Sequence, residues 1–185
     1  MPNIADYALR LMNCDDKEQI LAWRNTDRVR VNMYTDHIIT RDEHELWFSK
    51  ALVDESSRYL IFEINHRPVG FVSFTNISKV HNRCVWAFYL GEDDLPRGTG
   101  SSMEYFALQY AFEELKIRKL CCEVFLFNAG VIKMHEKFGF SKEGHFVAHY
   151  LKNDTYEDIA SLAMFNDSWV STKETLKTRC FGKNA

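Results

Sequence analysis

With only three prolines and eight glycines in 185 residues, the chain has no long Gly/Ser/Pro linker, and it has no low-complexity tract or internal repeat. One domain is therefore expected, and 46% hydrophobic residues provide it with a sizeable core. No apolar run approaches the length of a bilayer span. The opening Met1-Pro2-Asn3-Ile4-Ala5-Asp6 has neither the basic nor the apolar region of a secretion signal. The expectation is a cytoplasmic protein with no membrane partner. A formal net charge of -3 offers no general attraction to nucleic acid, and the basic residues form no dense tract, so nucleic acid is not expected as a partner.

Metal and disulfide chemistry are equally poorly provided for. Cys14, Cys84, Cys121, Cys122 and Cys180 have neither disulfide-framework nor zinc-finger spacing. Cys121 and Cys122 are adjacent in a predicted strand, so their side chains point to opposite faces and core packing is the favoured role. The seven histidines are scattered, with no His-Glu-x-x-His arrangement. No metal is expected.

What is present is an alternation of elements that predicts a mixed α/β sheet. A short strand ends at Arg10-Leu11-Met12, and Asp15 with Glu18 is the expected cap of a first helix carrying Ile20, Leu21 and Trp23. Thr40 and Glu43 have capping-box spacing before a second helix over residues 45–52, with Leu46, Trp47, Phe48 and Leu52 as its packed side. Strands at 58–63, 69–75 and 84–90, joined by Asn65-His66 and a polar stretch 76–82, read as an antiparallel meander. Helix periodicity returns at Met103, Phe106, Ala107, Tyr110 and Ala111, then strand character at 120–127 and another helix at 131–138. Two last strands, 144–151 and 155–165, meet at Asn153-Asp154. Beyond them Trp169 packs, while 173–183 is left on the surface to cover the sheet, assist a homodimer or fray.

The chemistry concentrates at Leu95-Pro96-Arg97-Gly98-Thr99-Gly100-Ser101-Ser102, between a strand and a helix. Glycines there let backbone N–H groups converge on an anion at a helix N-terminus. The nucleoside-triphosphate loop is excluded, since no Lys-Ser/Thr pair follows the glycines. A dinucleotide fingerprint is incomplete, although Glu123 falls near its acidic interval. A solvated turn remains the plain alternative. A second constellation, Asn128-Ala129-Gly130-Val131-Ile132-Lys133-Met134-His135-Glu136-Lys137-Phe138-Gly139-Phe140, reads as strand exit, helix and glycine stop, with Asn128 as cap or cofactor contact.

Together the two motifs resemble the GCN5-related N-acetyltransferase superfamily. The resemblance implies a largely antiparallel central sheet flanked by helices, within a domain over residues 1–167 followed by a tail at 168–185. It implies acetyl-CoA as cofactor, its pyrophosphate on Leu95, Arg97, Gly98, Thr99, Gly100, Ser101 and Ser102. Its pantetheine arm would run between two splayed parallel strands, 84–90 and 120–127, past Ala87, Phe88, Tyr89, Leu90, Asn128, Ile132 and His135. Ser102 departs from the Gly or Ala usual at the loop's last position. Trp23-Arg24-Asn25, Met33-Tyr34, Ile39-Thr40, His44 and Glu143-Gly144 are further similar to the branch that acetylates the 4-amino group of a UDP-linked 4-amino-4,6-dideoxy-2-acetamido sugar, for pseudaminic acid and flagellin glycans. That likeness implies a UDP-aminosugar partner and a substrate pocket of Arg24, Met33, Tyr34, His44, Thr75 and Asn76.

Direct transfer is expected, since no Cys-His or Ser-His-Asp order suggests a covalent relay. His135, where relatives usually place tyrosine, is a candidate general acid for the leaving thiolate, with cofactor contact or helix packing as alternatives. Glu123 is a candidate base for the amine, or a solvated strand residue. A backbone N–H near Ala87–Tyr89 is the expected donor to the thioester carbonyl. Two other functions stay open: a ribosomal-protein or other peptide N-terminal acetyltransferase, and a noncatalytic acyl-CoA sensor.

Overall fold

The computed structural model describes residues 3–182. A seven-stranded sheet is built from β1 (Tyr7–Leu11), β2 (Arg58–Ile64), β3 (Arg67–Ser78), β4 (Arg83–Leu90), β5 (Lys119–Phe125), β6 (Ser141–Lys152) and β7 (Thr155–Phe165), in the order β1-β2-β3-β4-β5-β7-β6. All neighbours are antiparallel except β4 and β5. The expected meander is β2–β3–β4. Asn65 and His66 turn at φ 49 and 64°, and Asn153 and Asp154 at 49 and 59°, the left-handed pairs that two-residue hairpins require.

Both faces of the sheet are covered because β2 and β3 alternate two apolar sets. Leu60, Phe62, Val72 and Phe74 face α4 (Thr99–Gln109) and α6 (Asn166–Phe181), whereas Ile61 and Phe71 face α1 (Lys17–Arg24) and α3 (Arg41–Ala51). A four-residue helix, α2 (Asp27–Arg30), follows α1, and α5 (Ala129–Phe138) follows β5. A π turn, Tyr110–Glu114, extends α4. Among the described residues no helix is long and apolar enough to cross a membrane.

Several expectations are corrected. The first helix is capped two residues earlier than Asp15 and Glu18 predict: Asn13 accepts from the Asp15 N–H, and Asp16 accepts from the Asn13 N–H, across a 3-10 turn at Cys14–Asp16. The Thr40/Glu43 box is present, but α3 exposes Leu46 and buries Phe48, and Leu52, just past its end, is exposed. One apolar stripe suffices there, because only the side that meets Ile61 and Phe71 is packed. β3 continues to Ser78 through a register shift after Thr75, shortening the expected loop. Trp169 lies inside α6, whose Leu176 and Phe181 are also buried in the main core. Of the roles expected for 173–183, covering the sheet is the one that the described residues take, because helical spacing turns Leu176 and Phe181 inward; residues 183–185 lie outside the described part.

Candidate active site

Two cavities meet on β4. β4 and β5 pair only through Arg83–Lys119, Cys84–Leu120 and Val85–Cys121. Beyond Val85 the strands separate, and a cavity of about 430 Å³ opens between them, with Ala87, Phe88, Tyr89 and Leu90 on one wall and Glu123 on the other. β4 therefore presents backbone groups there that no neighbouring strand uses. Gly100, Asn128 and His135 also line this space.

Gly100 belongs to the first turn of α4. Gly98, at φ 93°, is its left-handed N-cap, a conformation that a Cβ disfavours. The Thr99 and Ser102 amides bond to the carbonyls of Pro96 and Gly98. Those of Gly100 and Ser101 have no backbone partner among the described residues, and they sit at the positive end of the helix, beside the cavity. Arg97 is exposed, while Leu95 packs on the core. Ser102, the departure from the expected loop, is 1% exposed. Thr99 is buried and spends its hydroxyl on Pro96. Ile132 packs on the core and is not in the cavity wall.

The two candidate catalytic groups differ in setting: His135 is buried, whereas Glu123 is exposed. His135 is buried with Nδ1 2.7 Å from Glu104 Oε1. Tyr34 donates its hydroxyl to Glu123 Oε2 at 2.5 Å, and burial followed by that carboxylate pushes its phenol up. Cys122, also in the wall, has its thiol pushed up by burial, and Cys84 is raised to about 12 by the same cause. Neither is a ready nucleophile. Among the described residues no three His, Cys, Asp or Glu side chains gather in a metal-binding group.

On the other side of β4 lies a cavity of about 460 Å³ that shares Met33, Ala87, Phe88 and Tyr89 with the first. Arg24, His44 and Thr75 line it as expected. Arg24 donates Nη2 to the Thr35 carbonyl, while its buried Nη1 has no partner. Burial pulls this guanidinium down from its ordinary range, against Tyr89 and Asp36. His44 is committed structurally, with Nε2 at 2.8 Å from the Lys17 carbonyl oxygen. Tyr34 lines the first cavity instead, and Asn76 lines neither.

Residues missed in the sequence complete the walls. Arg28 lines the first cavity and donates to the carbonyls of Leu90 and Gly91 at 3.0 and 2.9 Å. Asn32 accepts from Asn128. His37 and Glu43 line the second cavity. Glu104 had one legible signal: it is the only charged residue in the helical segment Thr99–Gln109.

Residues 9–160 match the family model described as acetyltransferase (GNAT) domain. Spermidine N(1)-acetyltransferase of Vibrio cholerae serotype O1 is 21% identical, over 92% of this chain and 99% of that protein. Acetyltransferase PseH of Campylobacter jejuni strain 81-176 is 27% identical, over 78% of this chain and 85% of that protein. Among solved structures, the V. cholerae spermidine N-acetyltransferase in complex with CoA and spermine superposes with a TM-score of 0.84 at 20% identity, covering 90% of this chain and 99% of that one.

Proposed function

The chain belongs to the GNAT acetyltransferase family, with acetyl-CoA as its donor, and from that premise we propose that it acetylates the 4-amino group of a UDP-linked 4-amino-4,6-dideoxy-2-acetamido sugar. The observation that carries this reading is Arg24: a half-buried guanidinium whose Nη1 is buried and unpartnered in the acceptor cavity. Such a group calls for an anionic oxygen, and a nucleotide diphosphate supplies several. His37 and His44 line the same cavity. Its one acidic side chain, Glu43, is already occupied by the Thr40 N–H and hydroxyl and by His37. A polyamine would bring positive charges to Arg24 without a free carboxylate to receive them. The match to PseH, beside those to spermidine enzymes, supports the sequence's likeness to the aminosugar branch.

The donor fits the first cavity. The free amides of Gly100 and Ser101 would hold its pyrophosphate, and the gap between β4 and β5 admits an extended arm. When bound, it supplies an acetyl thioester activated toward an amine. Met33, Ala87, Phe88 and Tyr89 border both cavities and mark where the two substrates meet. An unused backbone N–H of Ala87–Tyr89 would polarise the carbonyl. Glu123, held by Tyr34, is assigned to receive the amine proton, and His135 to protonate the departing sulfur. The raised Cys122 thiol supports direct transfer over a cysteine relay.

Parallel assays of CoA release with the UDP-amino sugar, spermidine and amine-bearing peptides test the assignment. Turnover confined to the nucleotide sugar is expected; preference for spermidine or peptide replaces it, and acetyl-CoA binding without turnover makes the chain a sensor. Arg24→Ala should raise the sugar KM about tenfold or more, the scale of a lost charge-assisted hydrogen bond, with the acetyl-CoA KM unchanged. His135→Ala should lower kcat about 100-fold, with a smaller change in acetyl-CoA affinity.

A further inference from the structure

The buried surface of α4 contains a carboxylate that core packing does not require. Glu104 is 0% exposed, between Met103 and Tyr105, which are also buried. Its Oε1 meets His135 Nδ1, and its Oε2 has no partner. The imidazole is enclosed by aromatic rings, with centroids at 5.3 Å from Trp86, 5.7 Å from Phe88 and 4.9 Å from Phe140. Burying a carboxylate with one oxygen unsatisfied is unfavourable, and an apolar side chain would fill the same space without that penalty. Burial accordingly pushes the Glu104 carboxyl up, with the His135 contact opposing the rise. The partner of this carboxylate is also the one histidine that lines the donor cavity.

Resting on the reading of His135 as the general acid, we propose that Glu104 is a positioning residue for acetyl transfer: it accepts the Nδ1–H of His135 and leaves Nε2 to carry the proton for the departing sulfur. The carbon–sulfur bond breaks with its electron pair on sulfur, and Nε2 gives that sulfur its proton. The ring is then neutral, with Nδ1–H still held by Glu104. The proton released by the acetylated amine restores Nε2 through solvent, so no oxidant, reductant or further reactant enters. A carboxylate facing Nδ1 fixes the tautomer and stabilises the imidazolium that precedes transfer. The other titratable groups around the pair are Cys122 from β5 and Arg179 and Cys180 from α6. Arg179 donates to the Lys137 carbonyl rather than to Glu104. β4 and Phe140 contribute aromatic rings alone to the contact with the imidazole, and Glu136 and Lys137 on α5 are exposed.

The test is the kcat–pH profile of Glu104→Gln beside His135→Ala and Glu104→Asp, measured as CoA release with the amine that gives turnover. Glu104→Gln should lower kcat about tenfold to 100-fold, keep the acetyl-CoA KM within about twofold, and move the alkaline limb of kcat to lower pH. Glu104→Asp should restore part of the rate and return the limb toward its original position. A Glu104→Gln enzyme with the parent's kcat and profile, beside an inactive His135→Ala enzyme, overturns the Glu104 role and leaves the His135 role standing. A His135→Ala enzyme with unchanged turnover overturns the general-acid reading itself. Imidazole nitrogen NMR of the unsubstituted protein, assigned by loss of the signal in His135→Ala, decides the matter if Glu104→Gln fails to fold. The neutral ring should carry its proton on Nδ1; a neutral ring protonated on Nε2 with a bare Nδ1 overturns the proposal.

Discussion

Arg10 ties the first strand to the chain on both sides of it. Its Nη1 and Nη2 each lie 2.7 Å from an oxygen of Asp16, and its Nε lies 2.6 Å from Glu63 Oε1. Burial alone would push the Asp16 carboxyl up, but Arg10 and the Asn13 N–H outweigh it and hold the carboxyl below its ordinary range. The folded value is therefore below the unfolded one, near 3.9. The resulting stabilisation is fully present above that unfolded value and is lost as pH falls through the folded value. Asp16→Asn should lower stability at pH 7 by roughly 2 kcal/mol, the scale of hydrogen bonds to a charged group, and flatten the acid limb of a stability–pH curve from urea unfolding. Asp15 looked like the capping residue in the sequence because both aspartates precede the same helix. Only the fold brings Arg10 to Asp16 and decides between them.

At the scale of elements, local chemistry explains most boundaries. Thr40 and Glu43 form the reciprocal cap before Arg41–Ala51, and Gly139 ends α5 at φ 104°. These signals lie within a few residues of the structure they determine, so they are legible along the chain. Gly91 is different. A Cβ placed on it would stand 2.1 Å from Trp23 Cδ2, because α1 rests its indole directly on the end of β4. Trp23 Nε1 then donates to Glu92 Oε1 at 2.7 Å. Gly91→Ala should cost about 1–3 kcal/mol through overpacking, read as a lower Tm in thermal unfolding. The need for glycine there comes from a helix 68 positions away in sequence, beyond any turn signal.

For the whole molecule, α6 is part of the core rather than a surface appendage. Trp169, Leu176 and Phe181 join the cluster that includes Tyr105 and Leu108 of α4, and Tyr105 meets both Trp169 and Phe181 ring to ring at 5.5 Å. Leu176→Ala should destabilise the whole fold by about 2–5 kcal/mol in chemical denaturation. Val170→Ala, at a position 70% exposed, should stay within about 0.5 kcal/mol. A second long-range consequence is the segment after α2 that divides the cavities. Tyr34 binds Glu123, while Lys152 reaches both the Met33 carbonyl and Asp36 at 2.9 Å. The far hairpin β6–β7 thereby helps hold a wall of the acceptor cavity.

Hydrophobic periodicity and capping residues by themselves determined the order of elements, because each acts over a few neighbouring residues; the family and the donor chemistry came from the resemblance that the two glycine-bearing motifs carry. The splayed pair of strands followed from family resemblance, and the separation after Val85 and Cys121 accords with it. Tertiary structure alone decided that β7 lies between β5 and β6, that Arg24 keeps an unpartnered nitrogen in one cavity, and that Glu104 meets His135 across 31 residues. Those outcomes depend on which faces pack together and which polar groups lose water in doing so. Neither is encoded by spacing along the chain.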